Sequence, residues 1–350
     1  MLLTPIILFV ILMILLYVPP VQNFIRKQAT AIASDATGMN ISVERIDLRF
    51  PLNLLVRGVQ VVQSENDAVD IQHPDTLLNL GSLNVRVQAW PLLQGRVEVD
   101  DITLQQVAVN SSTLLEGMHI KGTLGRFFLE SHGIDLKKEN AVLNSVELSN
   151  THVQVILADT AEAPKDTVET ALNWRIALHN LKLKNVSVDL QMPLDSMTLA
   201  ANIGDASIED ANADLKRQFY GWRKFALTGT AVNYDSGTAA PVEGFDASHI
   251  ALRDIRIGID SVMSCGRDMN AVIREFSMYD RSGLTVTSLT GRLFADSTLI
   301  RVPHLQLTTP HSEMNLTAQT YWKLVYIPTT GRLSARFNAN IGKQDVLLFA

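Results

Sequence analysis

The stretch that decides the fold is VEVDDITLQQVAVN, residues 97–110, whose apolar residues fall at 97, 99, 102, 104, 107 and 109. A half-buried strand alternates apolar and polar by two throughout. Here steps of two alternate with steps of three. A step of three inside a period of two inserts one residue without turning the apolar face over. Two devices do this. A two-residue hairpin sets its flanking residues opposite one another on one face, and Asn or Asp tolerates the left-handed conformation of such turns. A bulge in a continuing strand adds a residue and bends the strand. Hairpin strands of three residues are too short to hold, so the bend is favoured where copies follow in tandem. Where a copy stands alone, either device remains open.

The pattern recurs along the chain. It appears at Ile41, Val43, Ile46, Leu48 and at Leu78, Leu80, Leu83, Val85. Val97, Val99, Ile102, Leu104, Val107 and Val109 carry it as three pairs, as do Ile176, Leu178, Leu181, Leu183, Val186 and Val188. Ile250, Leu252, Ile255, Ile257 and Ile300, Val302, Leu305, Leu307 repeat it, and a looser copy with Thr151 in an apolar slot runs from Val146 to Val155. The linking dipeptides are polar and many end in Asn or Asp: Asp100-Asp101, Ser149-Asn150, His179-Asn180, Lys184-Asn185, Arg253-Asp254. A bent strand with one constant apolar face curves round something, either a closed core or an open trough.

The rest of the chain fits many strands. The segments ADTAEAPKDT (158–167) and NYDSGTAAPVEG (233–244) read as exposed loops rather than domain linkers. Between Asp210 and Ala226 a short covering helix or a strand with a basic outer face is expected. Residues 39–350 thus read as one elongated β domain. It stops at Ala350 in mid-pattern, which points to a truncated sheet whose open edge invites pairing.

The N-terminus reads differently. Leu2 to Val18 is apolar and uncharged, at the short end of what spans a bilayer. A transmembrane anchor over residues 1–20 is preferred to a signal peptide, because no basic region precedes the span and the Ala-x-Ala sites at Ala29–Ala33 lie far beyond it. Arg26 and Lys27 would place the following side in the cytoplasm, a vote of only two charges. Residues 21–38 carry Val21, Phe24, Ile25, Gln28, Ile32 and Ala36 at helical spacing, with Gly38 as a stop. This amphipathic helix is expected to pack on the following sheet.

Composition excludes several functions. A net charge of −6 without a basic cluster argues against nucleic acid. The single cysteine, Cys265, excludes an internal disulfide framework and a multi-thiolate metal site. The eight histidines are scattered, with no HExxH, no phosphate loop and no G-x-S-x-G. Asp100-Asp101 reads as turn chemistry rather than an acid–base pair. No cofactor, metal or catalytic residue is expected, and the chain reads as a non-enzyme.

The segment VQNFIRKQATAIASDATGMNISVERIDLRFPLNLLVRGVQV followed by DTLLNLGSLNVRVQAWPLLQGRVEVDDITLQQVAV resembles the start of AsmA-like proteins. Within that family it is most similar to the translocation and assembly module (TamB) branch in its Bacteroidota-like form. FDASHIALRDIRIGIDS (245–261) and SGLTVTSLTGRLFADSTLIRVPHLQLTTPHSEMNL (282–316) resemble it too. Family members carry more residues before the span and run far longer, to a C-terminal domain this sequence lacks. The resemblance implies a mainly β protein: an N-terminal transmembrane helix and an amphipathic helix, then an elongated, curled antiparallel sheet with few short helices. It implies a single-pass inner-membrane anchor with the bulk of the chain in the periplasm, against the charge vote. It implies a role in outer-membrane biogenesis, passing phospholipid or assisting outer-membrane protein assembly with a barrel partner.

The expected site is an apolar groove for phospholipid acyl chains, lined by the copies at 97–109, 176–188 and 250–257. The competing reading is a membrane-anchored scaffold whose aliphatic residues fill an ordinary closed core.

Overall fold

The computed structural model describes residues 19–49, 52–63, 76–88, 98–111, 117–135, 138–157, 173–326 and 332–349. Residues 1–18, and with them the expected membrane span, lie outside the described residues, as does Val97. Among the described residues no helix is long and apolar enough to cross a membrane.

Helix α1 (Pro19–Thr37) is the expected amphipathic helix, beginning at a proline, which suits a first helical turn. Gly38 ends it at φ 69° with its N–H on the Ser34 carbonyl, the left-handed stop that glycine adopts without a Cβ penalty. The helix packs on the edge of strand β1 (Asn40–Arg49). Arg26 donates to the carbonyls of Val43 (3.3 Å) and Glu44 (2.7 Å), and the Ser34 hydroxyl accepts the N–H of Ile41.

From β1 the chain builds one sheet in sequence order. It continues through β2 (Asn53–Val62), β3 (Thr76–Val87), β4 (Val99–Asn110), β5 (Met118–Asp135), β6 (Asn140–Leu157) and β7 (Arg175–Met192). A 3₁₀ turn (Pro193–Asp195) leads to β8 (Met197–Asp214), then β9 (Phe219–Ser236), β10 (His249–Cys265) and β11 (Asp268–Asp280). The short β12 (Thr285–Val286) pairs only with β11. Strands β13 (Ser288–Ala295), β14 (Leu299–Thr308), β15 (Glu313–Tyr321) and β16 (Leu333–Asn340) finish the sheet. Two short helices, α2 (Trp322–Tyr326) and α3 (Lys343–Leu347), interrupt and follow the last strands. The segment 210–226 is the β8–β9 hairpin, so the strand reading holds there and the helix does not. β1 and β16 are not paired, and the sheet is open.

The expectation of an antiparallel sheet needs one correction: β6 and β7 run parallel, from Asn140↔Arg175 to Ile156↔Gln191. Both carry the same pattern in the same order. Parallel pairing sets Leu148 on Leu183 and Thr151 on Val186, keeping both apolar faces together. Strands β5 to β9 are each 18 residues long, about 60 Å at 3.3 Å per residue.

The steps of three are bends within continuous strands. None of them is a hairpin. Gln106, Asn150, Asn185 and Asp254 take φ of 50–56° in mid-strand, the left-handed conformation that, after glycine, Asn and Asp tolerate best. Asp100-Asp101 is not a turn. Asp100 is the extra residue of a bulge, since Val87 pairs with Val99 and Arg86 with Asp101. The buried Asp101 carboxylate meets Arg86 at 3.0 Å, and Gln88 donates to Asp100 at 2.6 Å.

Candidate functional site: an apolar floor between two creases

Cross-strand register sorts the apolar residues into rows that run across the strands, along the length of the sheet. One row links Ile46, Val56, Leu83, Leu104, Phe127, Leu148, Leu183, Ala206, Leu227, Ile257 and Phe276 through successive partners from β1 to β11. Beside it runs Leu48, Leu54, Val85, Ile102, Leu129, Val146, Leu181, Ile208, Phe225, Ile259 and Ile273. Every member of both rows is apolar. They form the floor.

A line of unpaired residues separates this floor from two further rows. Glu44, Gly58, Gly81, Gln106, Gly125, Asn150, Asn185 and Gly204 are each skipped by the pairing on both sides, or on the one side available to Glu44. Each skip takes one residue from both strands and leaves the register unchanged, so the unpaired positions of successive strands stack into one crease. Beyond it lie Val43, Val59, Leu80, Val107, Leu124, Thr151, Val186 and Ile203, and then Ile41, Val61, Leu78, Val109, Gly122, Val153, Val188, Ala201, Val232 and Leu252. Leu80, Val186, Ala206 and Ile255, which flank the crease, are among the few buried hydrophobics. Their burial marks the inner corner of a fold made toward the apolar side.

A second crease borders the floor on its other side. Asn144, His179 and Asp210 are skipped in the same way, as are Arg223 and Ser261. It carries a polar chain: His179 Nδ1 lies 3.1 Å from Asp210, and Arg223 donates to Asp210 at 2.7 Å. The Arg223 and His179 partners hold the Asp210 carboxyl below the usual carboxylate range.

Every predicted lining residue except the undescribed Val97 lies on this one face. Leu104, Leu183 and Ile257 share the first floor row, and Ile102 and Leu181 the second. Val107 and Val186 stand in the row beyond the crease, with Ile255 opposite Thr230; Val109, Val188 and Leu252 stand one row further, and Ile250 opposite Tyr234 beyond that. Val99, Ile176 and Leu178 sit past the second crease, against Val87, Ala141 and Leu143. Sequence reasoning missed Phe127, Leu129, Ala206, Ile208, Phe225 and Leu227 as members of the same rows. Their spacing repeats the motif, but Ala, Gly and Thr in the apolar slots hide it.

The two faces differ chemically. Lys182, Lys184, Gln105 and Arg126 are exposed on the other side, where Arg126–Glu147 (3.6 Å), Lys224–Glu209 (3.7 Å) and Arg274–Asp260 (2.7 Å) pair across strands. The floor residues other than Ala206 are half-buried, and among the described residues no second layer covers them. Among the described residues only nine hydrophobic side chains are buried and none is below 2 % exposed. A closed core of this many aliphatic residues would contain fully buried Leu and Ile. Among the described residues these side chains do not fill a closed core.

Among the described residues no group of His, Cys, Asp and Glu is placed to hold a metal ion. No protein-family model matches the chain, and no curated protein matches it.

Proposed function

We propose that the chain carries lipid acyl chains along its apolar floor, as an inner-membrane-anchored periplasmic protein that passes phospholipid between membranes in outer-membrane biogenesis. The observation that carries this reading is the pair of unbroken apolar rows across eleven strands, which no layer covers among the described residues. An uncovered apolar surface of this extent favours an apolar ligand. Each methylene removed from water contributes roughly 0.8 kcal/mol, so about ten methylenes half-covered by the floor gain about 4 kcal/mol. That holds a chain without trapping it. Passage needs many equivalent sites of modest depth, and the same aliphatic pair repeated strand after strand supplies them. The polar face, laced with ion pairs, stays in water.

The anchor and the compartment rest on the apolar stretch at 2–18 and on the resemblance to AsmA-like proteins. The test is mass spectrometry of the full chain extracted from membranes in detergent, comparing the phospholipid it retains with that retained by the floor variant Leu181→Asp. Phospholipid retained near stoichiometry supports the reading. Retention of outer-membrane polypeptide without lipid would favour a protein-assembly role, and an empty floor would overturn both.

A further inference from the structure

From β2 to β9 the first crease follows a rule of chain direction. Strands β2, β4, β6, β7 and β9 run one way, because β6 and β7 are parallel and the other pairs in this part of the sheet are antiparallel. Each places a left-handed residue on the crease: Gly58, Gln106, Asn150, Asn185 and Gly229, at φ of 51–61°. Strands β3, β5 and β8 run the other way and place Gly81, Gly125 and Gly204 there. These three glycines have no left-handed requirement. Space is what they supply. A Cβ on Gly81 would stand 2.9 Å from the Gln106 Cβ, one on Gly125 2.8 Å from the Asn150 Cβ, and one on Gly204 2.7 Å from the Gly229 carbonyl.

At the crease an unpaired residue on one strand faces an unpaired residue on the next, so register is kept and both strands kink at one level. Kinks stacked along successive strands bend the whole sheet along one line, provided neighbouring strands can close on each other there. We infer that Gly81, Gly125 and Gly204 are shape determinants of the trough: the missing Cβ opposite each left-handed residue lets the sheet fold along the crease and keeps the floor at one width. In β7 that floor runs from Asn180 to Lys184 between the skipped residues, about 16 Å at 3.3 Å per residue. This is narrower than the roughly 30 Å of a small folded domain. The cargo class it selects is thin and extended, so acyl chains laid lengthwise fit and folded proteins do not. The statement about cargo rests on the lipid reading; the statement about shape does not.

The shape is measured by double electron–electron resonance on the full chain, with Cys265→Ser and spin labels at Lys121→Cys and Glu130→Cys. These exposed positions flank Gly125 on β5. Gly125→Ala should lengthen and broaden the distance distribution by several ångströms as the crease opens. Gly122→Ala, two rows off the crease, should leave it unchanged. An unchanged distribution in Gly125→Ala, or an equal change in Gly122→Ala, overturns the proposal. If Gly125→Ala does not fold, thermal unfolding of Gly81→Ala with and without Gln106→Gly decides. Removing the Gln106 side chain should restore most of the lost stability, and no restoration overturns the proposal. Phospholipid content of the unmodified chain tests the lipid reading separately, so the two can fail independently.

Discussion

Leu181 and Lys182 are neighbours on β7 that face opposite sides of the sheet, Leu181 on the floor between Val146 and Ile208, Lys182 among Glu147 and Ser207. Because the floor is uncovered, a charge there meets water in the empty protein and costs little fold, but it destroys the apolar contact. Leu181→Asp should therefore keep the native circular dichroism and lose at least tenfold of its bound phospholipid, while Lys182→Asp keeps both. Unfolding of Leu181→Asp would instead mean that the floor is a closed core. A second residue-scale expectation concerns Asp296 in the β13–β14 turn. The Thr298 hydroxyl and the N–H groups of Leu299 and Thr298 hydrogen-bond its carboxylate and hold its pKa down to about 2. A folded pKa below the unfolded value of about 3.9 adds stability that is complete above that value and lost as pH falls toward 2. Amide exchange of residues 296–299 should accordingly be slow at pH 5 and accelerate, beyond the intrinsic pH trend, between pH 4 and 2. At this scale the sequence was legible where Leu, Ile and Val hold the slots. It was opaque at Ala206 and at the crease glycines, whose role depends on the residue opposite, and the partner is known only once register is known.

Elements show what spacing could and could not reveal. The step of three identified bent strands, and the tandem copies at 97–109 and 176–188 excluded hairpins by length alone. Where copies stood singly, the choice between turn and bend waited for the pairing, and all proved to be bends. The parallel pair was not read, although seventeen residues separate Leu157 from Arg175, far more than a hairpin needs. The two edges of the sheet are also treated differently. At β1 the guanidinium of Arg26 occupies carbonyls that would otherwise accept a foreign strand. At β16 all eight residues are exposed, with Leu333 and Phe337 more than half so. Unprotected edges pair. Arg26→Ala should release β1 and raise self-association in light scattering, with a loss of about 1–2 kcal/mol for the charged hydrogen bonds. Ala335→Lys and Phe337→Lys on β16 should lower self-association. Identical masses for all three and the parent would show that neither edge governs assembly.

At the scale of the whole molecule, a sheet whose five longest strands run eighteen residues, folded along two creases, has among the described residues too few buried hydrophobic side chains for a conventional closed core. Ladder hydrogen bonds and cross-strand ion pairs hold the outer face, and on the proposed reading a bound lipid completes the burial of the inner face. Bound lipid should thus stabilise the fold by mass action, and stripping it should lower the melting temperature. The most direct test is a photo-crosslinking scan in native membranes, placing a photoreactive residue in turn at Leu104, Leu148, Leu183 and Leu227 on the floor and at Gln105, Glu147, Lys184 and Thr228 on the other face. Phospholipid adducts are expected at all four floor positions and at none of the other four. Adducts at neither set, or equally at both, would contradict it.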